Sequence, residues 1–374
     1  MILFYVQHLL GIGHLRRTIA IANACAKKGI PVSVVSGGPS IDLSVLSDVP
    51  VYQLPPVRSA DLAFSSLVDA DDRPIDAAYE KNRRDRLLQI LDRESPRLLV
   101  LELFPFGRRR FRFELEPLLD EAQRRRIRIF SSVRDCVQQR SDEREAETLD
   151  FLRRYFDGVL VHGDASFLPF AASFRRAAEV KNLTYSGFVD TAPQSVPPSV
   201  SRVSGVIAAA GGGAAGRALY ETMARARRLT RHPSVPWQML VGTDPDKSLI
   251  DSLKKTGGEG LSVEANRSDY RALLEGSRLS ISQAGYNSTV DILSSGVPAV
   301  MIPFTGEGGE TEQSVRAARL AAAGRVTVMS ESNLDPAELA ETVDSVLDRE
   351  PEKFQRIQCN GAQRSAEILA AHLH

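Results

Sequence analysis

The sequence predicts an α/β protein made of two halves, each built from strands that alternate with helices. Short apolar runs of strand length are followed by segments with helical spacing throughout the 374 residues. A glycine turn leads from a strand into a helix in each half, at residues 11–13 and 211–216. A polar stretch containing Pro193, Pro197 and Pro198 reads as a stiff linker between the halves. We therefore expect two domains.

Composition limits the class of protein. Lys and Arg number 47, as do Asp and Glu, and 43% of residues are hydrophobic, which is typical of a soluble globular chain and shows no bias toward nucleic acid. The three cysteines have no metal-ligand spacing, so a reducing compartment is expected. The apolar run 2–6 is too short for a signal peptide, and no run reaches the length of a membrane span. We expect a cytoplasmic protein.

The first half opens with a strand, a glycine loop and a helix. Residues 2–6 form the strand, and Gly11, Gly13 and His14 follow before an amphipathic helix. This βαβ pattern indicates a Rossmann-like unit. A dinucleotide fingerprint requires a third glycine where this chain has Arg16, which disfavours a nicotinamide cofactor. The expected strands of the whole chain are 2–6, 32–35, 98–101, 127–131, 159–161, 204–210, 237–241, 261–264, 279–282, 297–304 and 326–329.

Polar residues follow several strands of the first half. Glu102, Arg134, Asp135 and His162 all come after predicted strands, and ligands of open α/β sheets collect at the carboxyl ends of strands. These four residues are therefore expected on one rim of the sheet. The alternative for each is a structural role, and Asp135 in particular is a typical helix N-cap.

The second half contains the most informative stretch, residues 279–313. A strand at 279–282 leads through Gly285 into a helix at 286–295, where Asn287 and Ser288 lie in the first turn. A helix N-terminus presents unpaired backbone N–H groups and the positive end of the helix dipole. The two side chains add donors, so the pattern predicts an anion site that fits a diphosphate. The alternative is an ordinary helix capped by Asn and Ser.

Two further positions carry groups suited to a sugar nucleotide. Asp291 lies one turn into the same helix, where its carboxylate can accept hydrogen bonds from a ribose diol. Glu312 and Gln313 follow the glycine-rich loop 306–309 and offer an acceptor and a donor for sugar hydroxyls.

The order of these motifs resembles the donor-binding half of the MurG-like branch of the GT-B glycosyltransferases, which carries the family 28 C-terminal domain. The resemblance rests on Ala-Gly-x-x-Ser-x-x-Asp at 284–291, Gly-x-Pro-x-x-x-x-Pro-Phe at 296–304 and Glu-Gln at 312–313. The Gly-x-Gly-His of residues 11–14 and the glycines at 211–216 are similar to the two other loops of these enzymes. The segment Glu-Leu-Phe-Pro-Phe-Gly-Arg-Arg at 102–109 is shared with a bacterial group of MurG-like predicted glycosyl transferases.

The resemblance implies a fold of two Rossmann-like domains that face each other across a cleft. It places the acceptor domain at 1–187, joined by a final helix at 354–374 that crosses back to it, and the donor domain at 188–353. Ser288 falls on the phosphate position, Asp291 on the ribose carboxylate and Gln313 on the donor sugar. The residues implied in nucleotide-sugar binding are Gly11, Gly13, Gly211, Gly212, Gly213, Arg267, Gly285, Asn287, Ser288, Asp291, Glu312 and Gln313.

The same resemblance implies a catalytic role for His14, as a base on the acceptor hydroxyl or as a group that orients the phosphates. Glu102 and Asp135 are further catalytic candidates because of their places on the predicted rim of the sheet. The alternative for His14 is a helix-capping or core histidine. Asp stands at 291 where the family often has Glu, and the loop 305–311 is longer than usual. Both differences leave the donor sugar open.

The expected activity is metal-independent, inverting transfer of a hexosyl or N-acetylhexosaminyl group from a nucleotide-diphosphate sugar, with UDP favoured and no cofactor. Asp244 and Asp246 have the spacing of a metal motif but follow a strand in a predicted surface turn. One alternative is a sugar-nucleotide hydrolase or epimerase on the same scaffold. Another, from a different class, is a nucleotide-sugar-binding protein without turnover.

A run of arginines bears on the acceptor. Arg108, Arg109 and Arg110, with Arg112 just beyond, indicate either an ordinary solvated helix face or a site for an anionic or lipid-linked acceptor. The second interpretation predicts peripheral contact with the inner face of the membrane.

Overall fold

The computed structural model describes residues 1–9, 11–43, 47–60, 66–192, 205–210, 216–306, 309–349 and 354–373. The chain forms two compact units, Met1–Thr191 with Cys359–His374 and Ala192–Gln358. The division at 191/192 lies a few residues beyond the one predicted at 187/188. Each unit is α/β, with a mainly parallel sheet of the Rossmann type.

The first unit holds, among its described residues, a seven-stranded parallel sheet in the order β3-β2-β1-β6-β7-β8-β9, and a small antiparallel pair, β4-β5. The strands are β1 Ile2–Val6, β2 Val32–Ser36, β3 Val51–Gln53, β4 Arg58–Ser59, β5 Leu67–Val68, β6 Leu98–Glu102, β7 Arg128–Arg134, β8 Gly158–His162 and β9 Leu183–Tyr185. The helices are α1 Gly13–Lys27, α2 Ala77–Glu94, α3 Arg112–Arg124, α4 Asp142–Tyr155 and α11 Gly361–Ala371.

The β1 strand shows why this sheet is buried on both sides. Its alternate residues belong to two different cores: Leu3 and Tyr5 pack with α2, α3 and α4, whereas Phe4 packs with α1 and α11. Helix α11 therefore completes the core of the first unit from the far end of the chain. The prediction that the last helix returns to the N-terminal domain is confirmed, although this helix begins at Gly361 and not near residue 354.

The second unit holds a six-stranded parallel sheet over its described residues, in the order β12-β11-β10-β13-β14-β15. The strands are β10 Val206–Ala209, β11 Trp237–Leu240, β12 Leu261–Glu264, β13 Leu279–Ser282, β14 Ala299–Met301 and β15 Thr327–Val328. The helices are α5 Arg217–Leu229, α6 Lys247–Gly257, α7 Tyr270–Gly276, α8 Tyr286–Ser295, α9 Glu312–Ala322 and α10 Pro336–Leu347.

Two strands differ from the sequence-based prediction in ways that matter for the site. The strand predicted at 127–131 continues as β7 through Arg134, because each residue from Phe130 to Arg134 pairs with the neighbouring β8. The strand predicted at 297–304 is only three residues long, since the pairing of β14 ends at Met301. The extension of β7 carries the side chain of Arg134 to the carboxyl edge of the sheet.

Candidate functional site

The order of strands in the first unit assembles a candidate site at one edge of its sheet. Strand β1 lies between β2 and β6, and β7 lies on the other side of β6. The strand order reverses beside β1, which is where open α/β sheets bind ligands. Helix α1 begins just after β1, and His14 is its second residue. The side chains of His14, Glu102 and Arg134 consequently meet at this edge, although they are far apart in the sequence.

His14 contacts a charged residue through each ring nitrogen. Its Nδ1 lies 2.5 Å from Oε1 of Glu102, and its Nε2 lies 2.8 Å from Nη2 of Arg134. A guanidinium can only donate, and a carboxylate can only accept. The partners therefore assign the proton to Nδ1 and the lone pair to Nε2, which is the neutral imidazole that a general base requires.

The surroundings of His14 favour this uncharged form. Burial lowers the pKa of His14 well below its usual value of 6.5, and the nearby guanidinium of Arg134 lowers it further. Glu102 acts in the opposite direction and Arg108 adds to the lowering. The side chain keeps 15% of its surface exposed, so the imidazole remains within reach of a ligand.

Glu102 is the anionic centre of the cluster. It is 1% exposed, and besides His14 it contacts Nη2 of Arg17 at 2.5 Å and lies 3.9 Å from Nη2 of Arg108. Burial alone would raise the pKa of this carboxyl, but His14, Arg17 and Arg108 outweigh it and hold the pKa well below its usual range. Glu102 is therefore ionised and able to stabilise an imidazolium.

The other two candidates on this rim have local partners. Asp135 is buried, and its Oδ1 accepts a hydrogen bond from the backbone N–H of Cys136. His162 is wholly buried between the hydroxyls of Ser132 and Ser186, at 2.7 and 2.8 Å. These contacts fit the structural alternative for both residues, and a catalytic role for Asp135 stays a prediction.

The glycine loop before His14 leaves room for a ligand. A Cβ added at Gly11 would meet no atom within 4 Å, whereas Gly13 begins α1. The backbone around Gly11 is thus open to approach by another molecule.

The arginine run is largely engaged in ion pairs. Arg108 faces Glu102, and both Arg109 and Arg112 contact Glu147, at 2.5 and 2.6 Å. Arg110 is the exposed member of the run. Carboxylates of the protein itself therefore neutralise part of the positive charge of this run.

In the second unit, the N-terminus of α8 lies at the carboxyl edge of the sheet, directly after β13. Gly285 is the N-cap, with Asn287 and Ser288 half-buried in the first turn, and a Cβ at Gly285 would again meet no atom within 4 Å. Buried Arg316 of α9 donates to the carbonyl of Ala284 at 2.8 Å and fixes the turn from behind. The backbone N–H groups of this turn of helix can receive an anion.

Asp291 has a partner that the sequence did not predict. Nε and Nη2 of Arg271, in α7, both donate to its Oδ1, at 2.9 and 2.5 Å. The carboxylate remains about one-fifth exposed. It is therefore held in a defined orientation on the helix whose N-terminus is the candidate anion site.

Gln313 lies at the start of α9 beside Glu312. Its Oε1 accepts a hydrogen bond from the backbone N–H of Phe304 at 3.2 Å, and its own backbone N–H donates to Glu310 at 3.1 Å. Burial raises the pKa of Glu310, and the neighbouring carboxylate of Glu312 raises it further. The amide of Gln313 is thus oriented so that its Nε2 can donate elsewhere.

Of the remaining predicted residues, Arg267 forms ion pairs with Asp269 at 2.7 Å and Glu264 at 3.3 Å, which raise its pKa. Gly211, Gly212 and Gly213 lie outside the described residues. Asp246 accepts from the backbone N–H of Ser248 and so caps α6. Within the described ranges, no three His, Cys, Asp or Glu side chains are grouped so that they could hold a metal ion.

Sequence reasoning missed several arginines that hold the candidate residues of each unit in place. Arg17 lies three residues after His14 on the same helix, a spacing that could have indicated a shared face. Arg271 and Arg316 reach their partners from other helices, and no sequence signal pairs them. No helix in the described parts of the chain is long and apolar enough to cross a membrane.

Residues 210–371 match the family described as glycosyltransferase family 28 C-terminal domain. A search of curated proteins found no match.

Among solved structures, the chain is similar to the calicheamicin glycosyltransferase CalG4, with 16% identity, a TM-score of 0.67 and 100% and 98% of the two chains covered. MurG of Acinetobacter baumannii has 16% identity and a TM-score of 0.64, with 99% of each chain covered. The spinosyn rhamnosyltransferase SpnG, solved with thymidine diphosphate, has 15% identity and a TM-score of 0.63, with 100% and 96% covered.

These similarities show the GT-B fold over the whole chain, and the family match supports a glycosyltransferase that takes its sugar from a nucleotide sugar. The chain thus has the GT-B fold, and its residues 210–371 match the glycosyltransferase family 28 C-terminal domain.

Proposed function

We propose that the protein is an inverting, metal-independent glycosyltransferase that uses a nucleoside-diphosphate sugar, with a UDP-linked hexose or N-acetylhexosamine as donor. The observation that carries this proposal is the His14–Glu102 pair, in which the imidazole is neutral and bears its proton on the nitrogen that faces the carboxylate. A base of this kind serves to activate an acceptor hydroxyl.

The reaction is a single displacement. Nε2 of His14 accepts the proton of the acceptor hydroxyl while the hydroxyl oxygen forms a bond to the anomeric carbon. The bond between that carbon and the phosphate oxygen breaks, and the diphosphate leaves with the electron pair. Glu102 stabilises the imidazolium that forms, as the carboxylate does in other His–carboxylate pairs. Attack from the side opposite the leaving group inverts the anomeric centre.

The donor is bound by the second unit in this proposal. The N-terminus of α8, with Asn287 and Ser288, receives the diphosphate. Asp291 accepts hydrogen bonds from the ribose hydroxyls, and Glu312 and Gln313 contact the hydroxyls of the transferred sugar. Gly211, Gly212, Gly213 and Arg267 keep the nucleotide-binding roles that the family resemblance implies.

The helix N-terminus takes the place of a metal ion in stabilising the leaving diphosphate. Asp246, one of the two aspartates with metal-motif spacing, is instead used as the N-cap of α6. We expect transfer to survive an excess of EDTA. A loss of transfer that Mg²⁺ or Mn²⁺ restores would contradict this part of the proposal.

For the acceptor, we propose an anionic or lipid-linked molecule that approaches the first unit near Arg108, Arg109 and Arg110. The exposed position of Arg110 supports this, because basic side chains at a surface attract anionic headgroups. Such an acceptor places the protein in the cytosol at the inner face of the membrane.

The test begins with calorimetric titration of nucleoside diphosphates and their sugars, because the nucleotide that binds the folded chain identifies the base. Products formed with the bound donor are then analysed with and without hydroxyl acceptors. A glycoside of inverted anomeric configuration supports the proposal. Free sugar or an altered sugar nucleotide from donor alone indicates a hydrolase or an epimerase. Tight binding without turnover over a broad set of acceptors indicates a binding protein.

A further inference from the structure

Arg134 is hydrogen-bonded to the atom on which the proposed chemistry depends. Its Nη2 donates to Nε2 of His14 at 2.8 Å, on the side of the ring opposite Glu102. Nε2 is the nitrogen that must receive the proton of the acceptor hydroxyl. The free protein therefore keeps a guanidinium where the substrate hydroxyl has to bind.

The two neighbours of His14 act on its charge in opposite directions. The negative charge of Glu102 favours the imidazolium, and a protonated ring has no lone pair to accept a proton. A donor at Nε2 favours the neutral ring. Because a guanidinium has no acceptor atom and does not lose its proton, its hydrogen bond to Nε2 exists only when Nε2 is unprotonated.

The charged groups around His14 come from three elements and the loop after β6. Glu102 at the end of β6 favours the charged ring, while Arg134 at the end of β7 and Arg108 in the loop after β6 oppose it. Arg17, on α1 with His14, contacts the same Oε1 of Glu102 and shares its negative charge. Arg134 contacts the imidazole directly, with its Nη2 2.8 Å from Nε2 of His14.

We propose that Arg134 is a positioning residue that holds His14 as the neutral ring protonated on Nδ1, and that the acceptor hydroxyl replaces the guanidinium at Nε2 before transfer. No bond other than a hydrogen bond is exchanged in this step. The hydroxyl then donates its proton to the lone pair that Arg134 has released. The first half of the proposal concerns the free protein, and only the second half rests on the proposed function.

The first experiment needs no substrate. The full chain is labelled with ¹⁵N-histidine, and the imidazole signals are followed by NMR against pH, with His14 assigned from a His14→Gln sample. The wild-type ring is expected to show a protonated Nδ1 and an unprotonated Nε2. In Arg134→Met, which removes both the donor and the charge, the titration of His14 is expected to move to higher pH and the tautomer preference to weaken. Arg134→Lys, which keeps a cation and a donor, is expected to restore most of the wild-type behaviour.

The same strand supplies a matched control. Arg128, at the start of β7, places Nη1 at 3.4 Å from Nδ1 of His372. Arg128→Met removes an arginine of the same sheet from beside a different histidine, and the His14 signals are expected to stay unchanged. An unchanged titration and tautomer of His14 in a folded Arg134→Met chain would overturn the proposal. So would an equal change in Arg128→Met, because that would point to a general effect on the sheet.

The second experiment measures kcat/KM against pH with the donor and acceptor found by the screen. In Arg134→Met the acid limb of the profile is expected to shift to higher pH by as many pH units as the NMR titration shifts. Activity that is lost at neutral pH should then return at higher pH. A uniform loss with an unmoved limb would overturn the positioning role. If the NMR result holds but wild-type protein transfers no sugar, the control of His14 by Arg134 stands and the proposed function fails.

Discussion

Arg271 donates two hydrogen bonds to the same oxygen of Asp291, from Nε at 2.9 Å and from Nη2 at 2.5 Å. The two residues lie on neighbouring helices, α7 and α8, and the N-terminus of α8 is the candidate anion site. The pair gives the aspartate a fixed direction before any ligand binds. A side chain that is already ordered loses less entropy when it receives a ribose.

The first prediction concerns this carboxylate. Asp291→Ala is expected to weaken binding of the nucleoside diphosphate by about 1.5–3 kcal/mol, the usual contribution of hydrogen bonds to a charged group. Calorimetry with the matching 2′,3′-dideoxy nucleotide tests the contact directly. Because this nucleotide has no ribose diol, Asp291→Ala should have little effect on its affinity. Asp251→Ala, an exposed aspartate of α6, is the control. If Asp291→Ala weakens the binding of both nucleotides equally, Asp291 does not bind the ribose.

The second prediction concerns the base. His14→Ala is expected to lower kcat by roughly 10²–10⁴ and to leave donor affinity within a few-fold, because a general base acts in the transition state. A parallel loss of donor affinity would instead indicate a role in holding the diphosphate. Full activity in a folded His14→Ala chain would exclude both roles.

The third prediction concerns Glu102. Glu102→Gln removes the negative charge that stabilises the imidazolium, and this same charge pairs with the buried guanidinium of Arg17. We expect loss of kcat together with a fall in the free energy of unfolding of about 3–5 kcal/mol, which is typical of breaking a buried ion pair. The control is Glu147→Gln, whose partners Arg109 and Arg112 are about one-third exposed. Its effect on stability should be below about 1 kcal/mol.

The fourth prediction separates ligand binding from stability at two glycines of α8. Gly285 has φ −62° and ψ 152°, which alanine adopts readily, and its added Cβ would point into open space. Gly285→Ala should therefore leave the melting temperature nearly unchanged and reduce nucleotide affinity. Gly296 has φ 70°, and its Cβ would meet the carbonyl oxygen of Phe354 at 2.4 Å. Gly296→Ala should lower the melting temperature. If Gly285→Ala lowers the melting temperature and leaves nucleotide affinity unchanged, the proposed location of the anion site is wrong.

The fifth prediction concerns pH. Burial lowers the pKa of His8, His14 and His162 from the usual 6.5. Below about pH 6.5 the unfolded chain therefore binds protons that the folded chain does not, and stability must fall as the pH falls toward the folded pKa values. Each histidine contributes at most about 1.4 kcal/mol per pH unit. Urea unfolding between pH 8 and pH 5 measures the slope, and a flat profile would contradict the buried neutral histidines.

The sequence by itself determined the architecture and the positions of the candidate site residues within it. Strands 2–6, 261–264 and 279–282 and the helix 286–295 were predicted with the bounds that the structure has. This succeeded because apolar runs, glycine turns and helical periodicity are local properties of the chain. The same local signals located Gly285 and His14 at helix N-termini.

The tertiary structure alone decided the partners. Glu102 reaches His14 because β6 lies beside β1, and Arg134 reaches it because pairing with β8 extends β7 beyond its predicted end. Arg271 meets Asp291 through the packing of two helices. A sequence shows which residues can carry charge, but the protonation state of His14 depends on burial and on guanidinium groups that only the folded sheet brings within hydrogen-bond distance.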